Sequence, residues 1–259
     1  MPFIPLHDIN PRILLQVPWV TYGLIAACVL MFFYESSLPP EAAQRLFIGL
    51  GVIPASLLGY AELPAELAMV SPSLTTITSL FLHGSVMHLA GNMLFLWVFG
   101  DNVEDAMGHG RFILFYGLCG IAAGLIHSIS EPTSTIPVVG ASGAISGVLG
   151  AYLLLFPKAR VLIPIIIFPV YVPAALLLII WFGFQALAIW GGAGADSGVA
   201  WWAHVGGFIV GAILVVPFRH KTVPIFGDEP PRGVRLLPRA QWRRKPAQQQ
   251  KDKSKGPWS

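Results

Sequence analysis

Residues 140–156, GASGAISGVLGAYLLLF, decide how this chain is read. The stretch carries no Asp, Glu, Lys or Arg and stops at Pro157. Its glycines at 143, 147 and 150 recur at i, i+4, i+7, which puts them on one face of a helix and lets another helix approach closely. As a membrane span it is short. The sixteen residues 141–156 rise about 24 Å at 1.5 Å per residue, against about 30 Å of hydrocarbon. Its outer end is then recessed below the surface. The non-helical backbone before it, IPVVGA (136–141), must line a water-accessible cavity, because backbone at that depth has no other source of hydrogen bonds. Ser142 stands at the mouth of this helix, where free N–H groups and the helix dipole favour a developing oxyanion.

The rest of the chain supports a lipid setting. Of its 259 residues 55% are hydrophobic and 11% charged, whereas soluble domains carry about a quarter charged residues. Six apolar runs approach the length of a span, at about 18–35, 82–100, 112–129, 141–156, 170–190 and 201–218. The segment 161–169 is apolar but interrupted by Pro164 and Pro169, and reads as an interfacial loop or the lead-in to the fifth run. The expected fold is therefore all-α: a polytopic six-transmembrane-helix bundle over 18–218. It follows a cytoplasmic segment 1–17 and precedes a basic, disordered cytoplasmic tail 219–259 rich in Pro, Gln and Lys. The long first outer loop, 36–81, mixes Glu41, Glu62 and Glu66 with Leu46, Phe47, Leu57 and Leu58, a pattern for a short amphipathic piece at the interface.

Charge sets the orientation. With six spans and the tail inside, the inner segments hold Arg12, Arg111, Lys158, Arg160 and eleven tail cations, 15 of the 16 Lys and Arg, and the outer segments hold only Arg45. The expected setting is a bacterial plasma membrane, with both termini cytoplasmic. The tail reads as a topology signal near anionic headgroups rather than as a nucleic-acid site. Cys28 and Cys119 lie in apolar runs and suggest neither a disulfide framework nor a metal cluster.

Polar groups inside spans are costly and mark function. The spans contain His83, His88, Asn92, His127, Ser142, Ser146, Gln185 and His204. On this topology the second, fourth and sixth spans all run inward, so His88, Asn92, Ser142 and His204 share one depth zone near the outer side. Gly207 and Gly211 on the sixth span form a smooth face that includes His204, matching Gly143 and Gly147 on the fourth. Packing those faces together brings Ser142 and His204 within hydrogen-bonding reach. Serine needs a base to become a nucleophile, and His204 is the candidate. With no acid at that depth the expected arrangement is a Ser–His dyad rather than a triad. His88 and Asn92, four apart on one face, are candidate oxyanion donors. His127 reads as an interfacial histidine, Gln185 as an interhelical hydrogen-bonding residue, and Trp201 and Trp202 as part of an aromatic belt.

GASGAISG (140–147), HGSVMHLAGN (83–92) and AHVGGFIVG (203–211) together resemble the rhomboid intramembrane serine proteases, over about 75–218. The resemblance implies Ser142 as nucleophile, His204 as base, and His88, Asn92 and the Ser142 N–H as oxyanion hole. Gly140, within the serine motif, and Ser146 are neighbours of the site, and His83 matches a recurring histidine at the mouth of the second span, read as structural. It implies transmembrane protein substrates cut near their outer end at small residues, in the lipid bilayer, with no metal or nucleotide cofactor. Two departures stand out. The first outer loop has no Trp-Arg pair, and Ser146 occupies the place where some members have an aromatic residue stacked on the base. A non-catalytic member of the same fold that binds membrane clients is the alternative. A small transporter is a second one, opposed by the apolar inner halves of the spans.

Overall fold

The computed structural model describes residues 4–165, 168–192 and 199–227. Nine helices account for most of them: α1 (Trp19–Ser37), α2 (Pro40–Leu50), α3 (Pro54–Leu57), α4 (Pro72–Thr78), α5 (Val86–Met107), α6 (His109–Ser130), α7 (Ser142–Leu155), α8 (Ala174–Trp190) and α9 (Trp201–Phe218). Three of these, α1, α6 and α9, are long and apolar enough to cross a membrane. A fourth crossing is made if α5 is joined to the α4 segment, from which it is bent by 84°. The helices α7 and α8 are apolar but shorter, 14 and 17 residues. The protein is thus a mostly helical integral membrane protein.

α7 is the central helix. Nearly all its residues are buried, and it packs against α9, α6 and α5. The closest approach is to α9. A methyl group on Gly207 would be driven into the carbonyl of Gly143, and one on Gly211 into that of Gly147. Backbone therefore touches backbone, the geometry that small-residue faces permit.

Two features differ from an all-helical bundle. The segment expected as an interfacial loop forms a hairpin of β2 (Arg160–Ile165) and β3 (Phe168–Pro173), with β1 (His7–Asp8) on its other edge. Pro164 and Pro169 break this run as a span but not as a strand. They face each other across the hairpin, where two residues lacking N–H fit a pair position that exchanges no hydrogen bonds. The β-branched residues Val161, Ile163, Val170 and Val172 favour the extended form.

The second apolar run also extends as helix beyond residue 100, through Asp101, Glu104 and Asp105 to Met107. These carboxylates are bound, which is why they are tolerated there. α1 begins after Pro18 with no side-chain cap of its own. Glu104, fully buried, supplies the missing acceptors, taking the Val20 and Thr21 N–H groups at 3.0 and 2.7 Å and the Thr21 hydroxyl at 2.6 Å. Asp105 accepts from the backbone N–H of Ile13, Leu14 and Leu15. Buried Asp8 accepts from Asn102 Nδ2 at 2.9 Å and Tyr152 Oη at 2.7 Å. The N-terminal segment is thereby strapped to the C-terminal ends of α5 and α7. Gly108, at φ 82, then turns the chain directly into α6.

Residues 219–227, placed in the tail by sequence, pack back on the bundle. The His220 N–H donates to Ala106 O, the Phe226 N–H to Leu154 O, and Val223 is buried. The remaining tail, 228–259, lies outside the described residues.

Candidate active site

The site is assembled at the N-terminus of α7. The backbone leading into it is anchored from the segment between α1 and α5. Val52 and Val138 exchange N–H to carbonyl hydrogen bonds at 2.9 and 2.8 Å, and Gly140 N–H donates to Ser79 O at 2.9 Å. Gly140 has φ 120, a conformation open mainly to glycine. It is also crowded: a methyl there would lie 2.7 Å from Cε1 and Nε2 of His88. The imidazole of His88 therefore rests on the peptide that precedes Ser142.

Ser142 Oγ lies 2.8 Å from His204 Nε2. The other ring nitrogen of His204, Nδ1, lies 3.0 Å from Gln185 Oε1 on α8. The ring of His204 is flanked by Trp181, centroid 6.2 Å away and tilted by 35°, and by Trp201 at 6.3 Å, edge to face. Trp181 and Gln185 are four residues apart, so one face of α8 supplies both contacts.

A cavity of about 940 Å³ joins Ser142, His204, His88, Asn92 and Gln185, with Trp201 on its wall. Asn92 is 2% exposed, and its Nδ2 has no partner among the described residues. A buried donor without an acceptor costs about 1–3 kcal/mol. Such a group is suited to an acceptor that arrives with a ligand. The Ser142 N–H belongs to the first turn of α7 and is likewise outside the helical ladder.

The remaining residues named from sequence fall as follows. His83 is buried. Its Nδ1 lies 3.1 Å from Phe81 O, its backbone N–H donates to Glu35 Oε2 at 3.3 Å, and its ring packs on that of His88 at a centroid distance of 5.2 Å. Ser146 Oγ donates its hydrogen bond back to Ser142 O at 2.6 Å rather than to His204. His127, expected at the interface, is buried and borders a second cavity of about 190 Å³ beside His88. The third run continues as helix to Ser130, which places His127 within the last full turn against its neighbours. Trp202 is 38% exposed, whereas Trp201, grouped with it from sequence, lines the site. Adjacent helical positions face different directions, and the pair splits accordingly. Trp181 was not singled out by sequence; its position one turn before Gln185 on an uncharged helix was the signal available. Among the described residues no cluster of three His, Cys, Asp or Glu is placed to hold a metal ion.

A helical membrane protein with a serine and a histidine in contact on the wall of a largely apolar cavity is the class that fold and site define. The chain belongs to the Rhomboid family: the model of the Rhomboid domain matches residues 72–221. It is 33% identical over 151 residues to Rhomboid protein 1, mitochondrial, of Saccharomyces cerevisiae, covering 56% of this chain and 41% of that protein. It is 35% identical over 136 residues to Rhomboid protease GluP of Bacillus subtilis, covering 52% and 24%. It is 30% identical over 143 residues to human Presenilin-associated rhomboid-like protein, mitochondrial, covering 54% and 34%. The matched region spans less than half the length of each of these relatives.

Proposed function

We propose that the protein is an intramembrane serine endopeptidase that cuts transmembrane substrates near their extracytoplasmic end. The observation that carries this is the 2.8 Å contact between Ser142 Oγ and His204 Nε2 on the wall of the cavity. Membership of a family that includes a named rhomboid protease, GluP, supports it. In this reading His204 takes the hydroxyl proton as Ser142 Oγ attacks the scissile carbonyl carbon. The oxyanion that forms is held by the Ser142 N–H, His88 and Asn92 Nδ2. The imidazolium returns its proton to the leaving amine, leaving an acyl-serine. Water then attacks the acyl carbon with His204 as base, and the hydroxyl of Ser142 is regenerated.

The setting we propose is a bacterial plasma membrane crossed six times by α1, α5, α6, α7, α8 and α9. The sorting of Lys and Arg to one side then puts both termini in the cytoplasm and the cavity on the opposite side. The substrate reaches the site from the bilayer, and no cofactor enters the scheme.

Cleavage of a reporter with one transmembrane segment, by wild type and Ser142→Ala in liposomes, tests the proposal. Release of the reporter fragment by wild type alone is expected. Equal release by Ser142→Ala would sink the nucleophile assignment. Client binding by wild type without any cleavage would favour the non-catalytic reading of the fold.

A further inference from the structure

His204 has two ring nitrogens, and only one faces Ser142. A neutral imidazole carries its proton on one nitrogen and its lone pair on the other, and whatever the far nitrogen bonds decides which is which. A productive base needs the lone pair on Nε2. The group on the far side is therefore part of the chemistry. In this chain that group is the carbonyl oxygen of a neutral amide, Gln185 Oε1, 3.0 Å from Nδ1.

We propose that Gln185 is the positioning residue of His204, accepting the Nδ1–H and so holding the tautomer whose Nε2 lone pair faces the Ser142 hydroxyl. The inference rests on the reading of Ser142 as nucleophile and His204 as base. It turns the expected two-residue arrangement into a Ser–His–Gln relay in which the third member carries no charge. Three observations support it. Gln185 is 6% exposed in an otherwise uncharged helix, so its amide is retained at a cost that the bond to His204 offsets. Trp181, one turn earlier on the same face of α8, flanks the imidazole ring at a centroid distance of 6.2 Å. Among the described residues, the titratable groups that bear electrostatically on His204 are the histidines His88 of α5 and His127 of α6. α8 contributes no charged side chain, and α7 contributes only the hydroxyls of Ser142 and Ser146 near the site. Among the described residues no carboxylate competes for the orienting role.

A neutral acceptor has a consequence that a carboxylate would not. It orients the ring without stabilising the imidazolium strongly, so the base stays unprotonated toward lower pH. Exchanging the amide for a carboxylate keeps the acceptor and adds a charge next to Nδ1, which favours the protonated ring.

The test is the rate at which a fluorophosphonate probe labels the purified full-length protein, across the pH range where histidine titrates. Wild type, Gln185→Leu, Gln185→Glu and Ser142→Ala are compared, with thermal unfolding measured for each. Gln185→Leu, of similar volume but without an acceptor, should label at least about tenfold more slowly; loss of the correct tautomer in a charged triad costs about 10⁴-fold. Gln185→Glu should recover much of the rate at high pH, with the acid limb of its profile moved upward by about one pH unit or more. Wild-type labelling rate and profile in Gln185→Leu overturn the proposal. So does an unshifted acid limb in Gln185→Glu, a result that stands even if the Leu variant fails to fold. Labelling of Ser142→Ala at the wild-type rate would instead overturn the underlying nucleophile assignment.

Discussion

Gly207 of α9 lies with its α-carbon against the carbonyl oxygen of Gly143 of α7, so close that no side chain fits between them. His204 stands one turn before Gly207, and Ser142 is the residue before Gly143. The distance between the Ser142 hydroxyl and the His204 imidazole is therefore set by this backbone contact.

Replacement of Gly207 by alanine should separate the helices and lose both stability and site geometry. Overpacking a close interface costs about 1–3 kcal/mol, and here the obstacle is backbone, which yields less than a side chain. Thermal unfolding in detergent and probe labelling of Ser142 check this together. Gly183 of α8 is the control, since a methyl there meets nothing within 4 Å. Gly183→Ala should be neutral or slightly stabilising in helix propensity. If Gly207→Ala unfolds and labels like wild type, the contact does not position the site.

A second prediction concerns the C-terminal end of α5, away from the cavity. Glu104 takes the place of an N-cap for α1 and is fully buried. In Glu104→Gln one carboxylate oxygen becomes an NH₂ group facing N–H donors. Hydrogen bonds to charged groups contribute about 1.5–3 kcal/mol each, and an unsatisfied buried donor adds to the loss. We expect a drop of roughly 2–4 kcal/mol in unfolding free energy, measured by denaturant or thermal unfolding. Any residual folded protein should label at Ser142 at the wild-type rate, because the substitution touches no group of the site.

Much of the site was legible in the sequence because it rests on short-range regularities. The glycine spacings 143, 147, 150 and 207, 211 mark two helix faces, and only helices that touch through glycine can bring Ser142 to His204. What sequence did not give arises from contacts between distant segments. Gln185 was visible as a polar residue in an apolar helix, but its partner depends on how α8 leans on α9. The hairpin at 160–173 was hidden by two prolines that end helices yet fit opposite each other in a strand pair. The helical reach of α5 to Met107 depends on donors for its carboxylates, the N–H groups of residues 13–15 and 20–21, some 80 to 90 positions earlier. His127 and the Trp201–Trp202 pair were assigned to the interface by composition, whereas helix phase turns His127 and Trp201 inward.

Asn92 offers a test in which function and stability should move in opposite directions. Its Nδ2 is buried and lacks a partner among the described residues, yet it borders the cavity beside Ser142. A donor kept without an acceptor is a liability to the folded state, about 1–3 kcal/mol by the usual measure. If that donor serves the oxyanion, the compensation appears only in the transition state. Asn92→Ala should then lower kcat by about 10²–10³-fold, the effect of losing one such donor, with KM little changed. The same variant should unfold no earlier than wild type, whereas Asn92→Asp, which replaces the unpaired amide with a buried charge, should unfold sooner. Reporter cleavage kinetics and thermal unfolding of the two variants give both readings. A kcat within twofold of wild type for Asn92→Ala would remove Asn92 from the oxyanion hole and leave His88 and the Ser142 N–H to hold the charge.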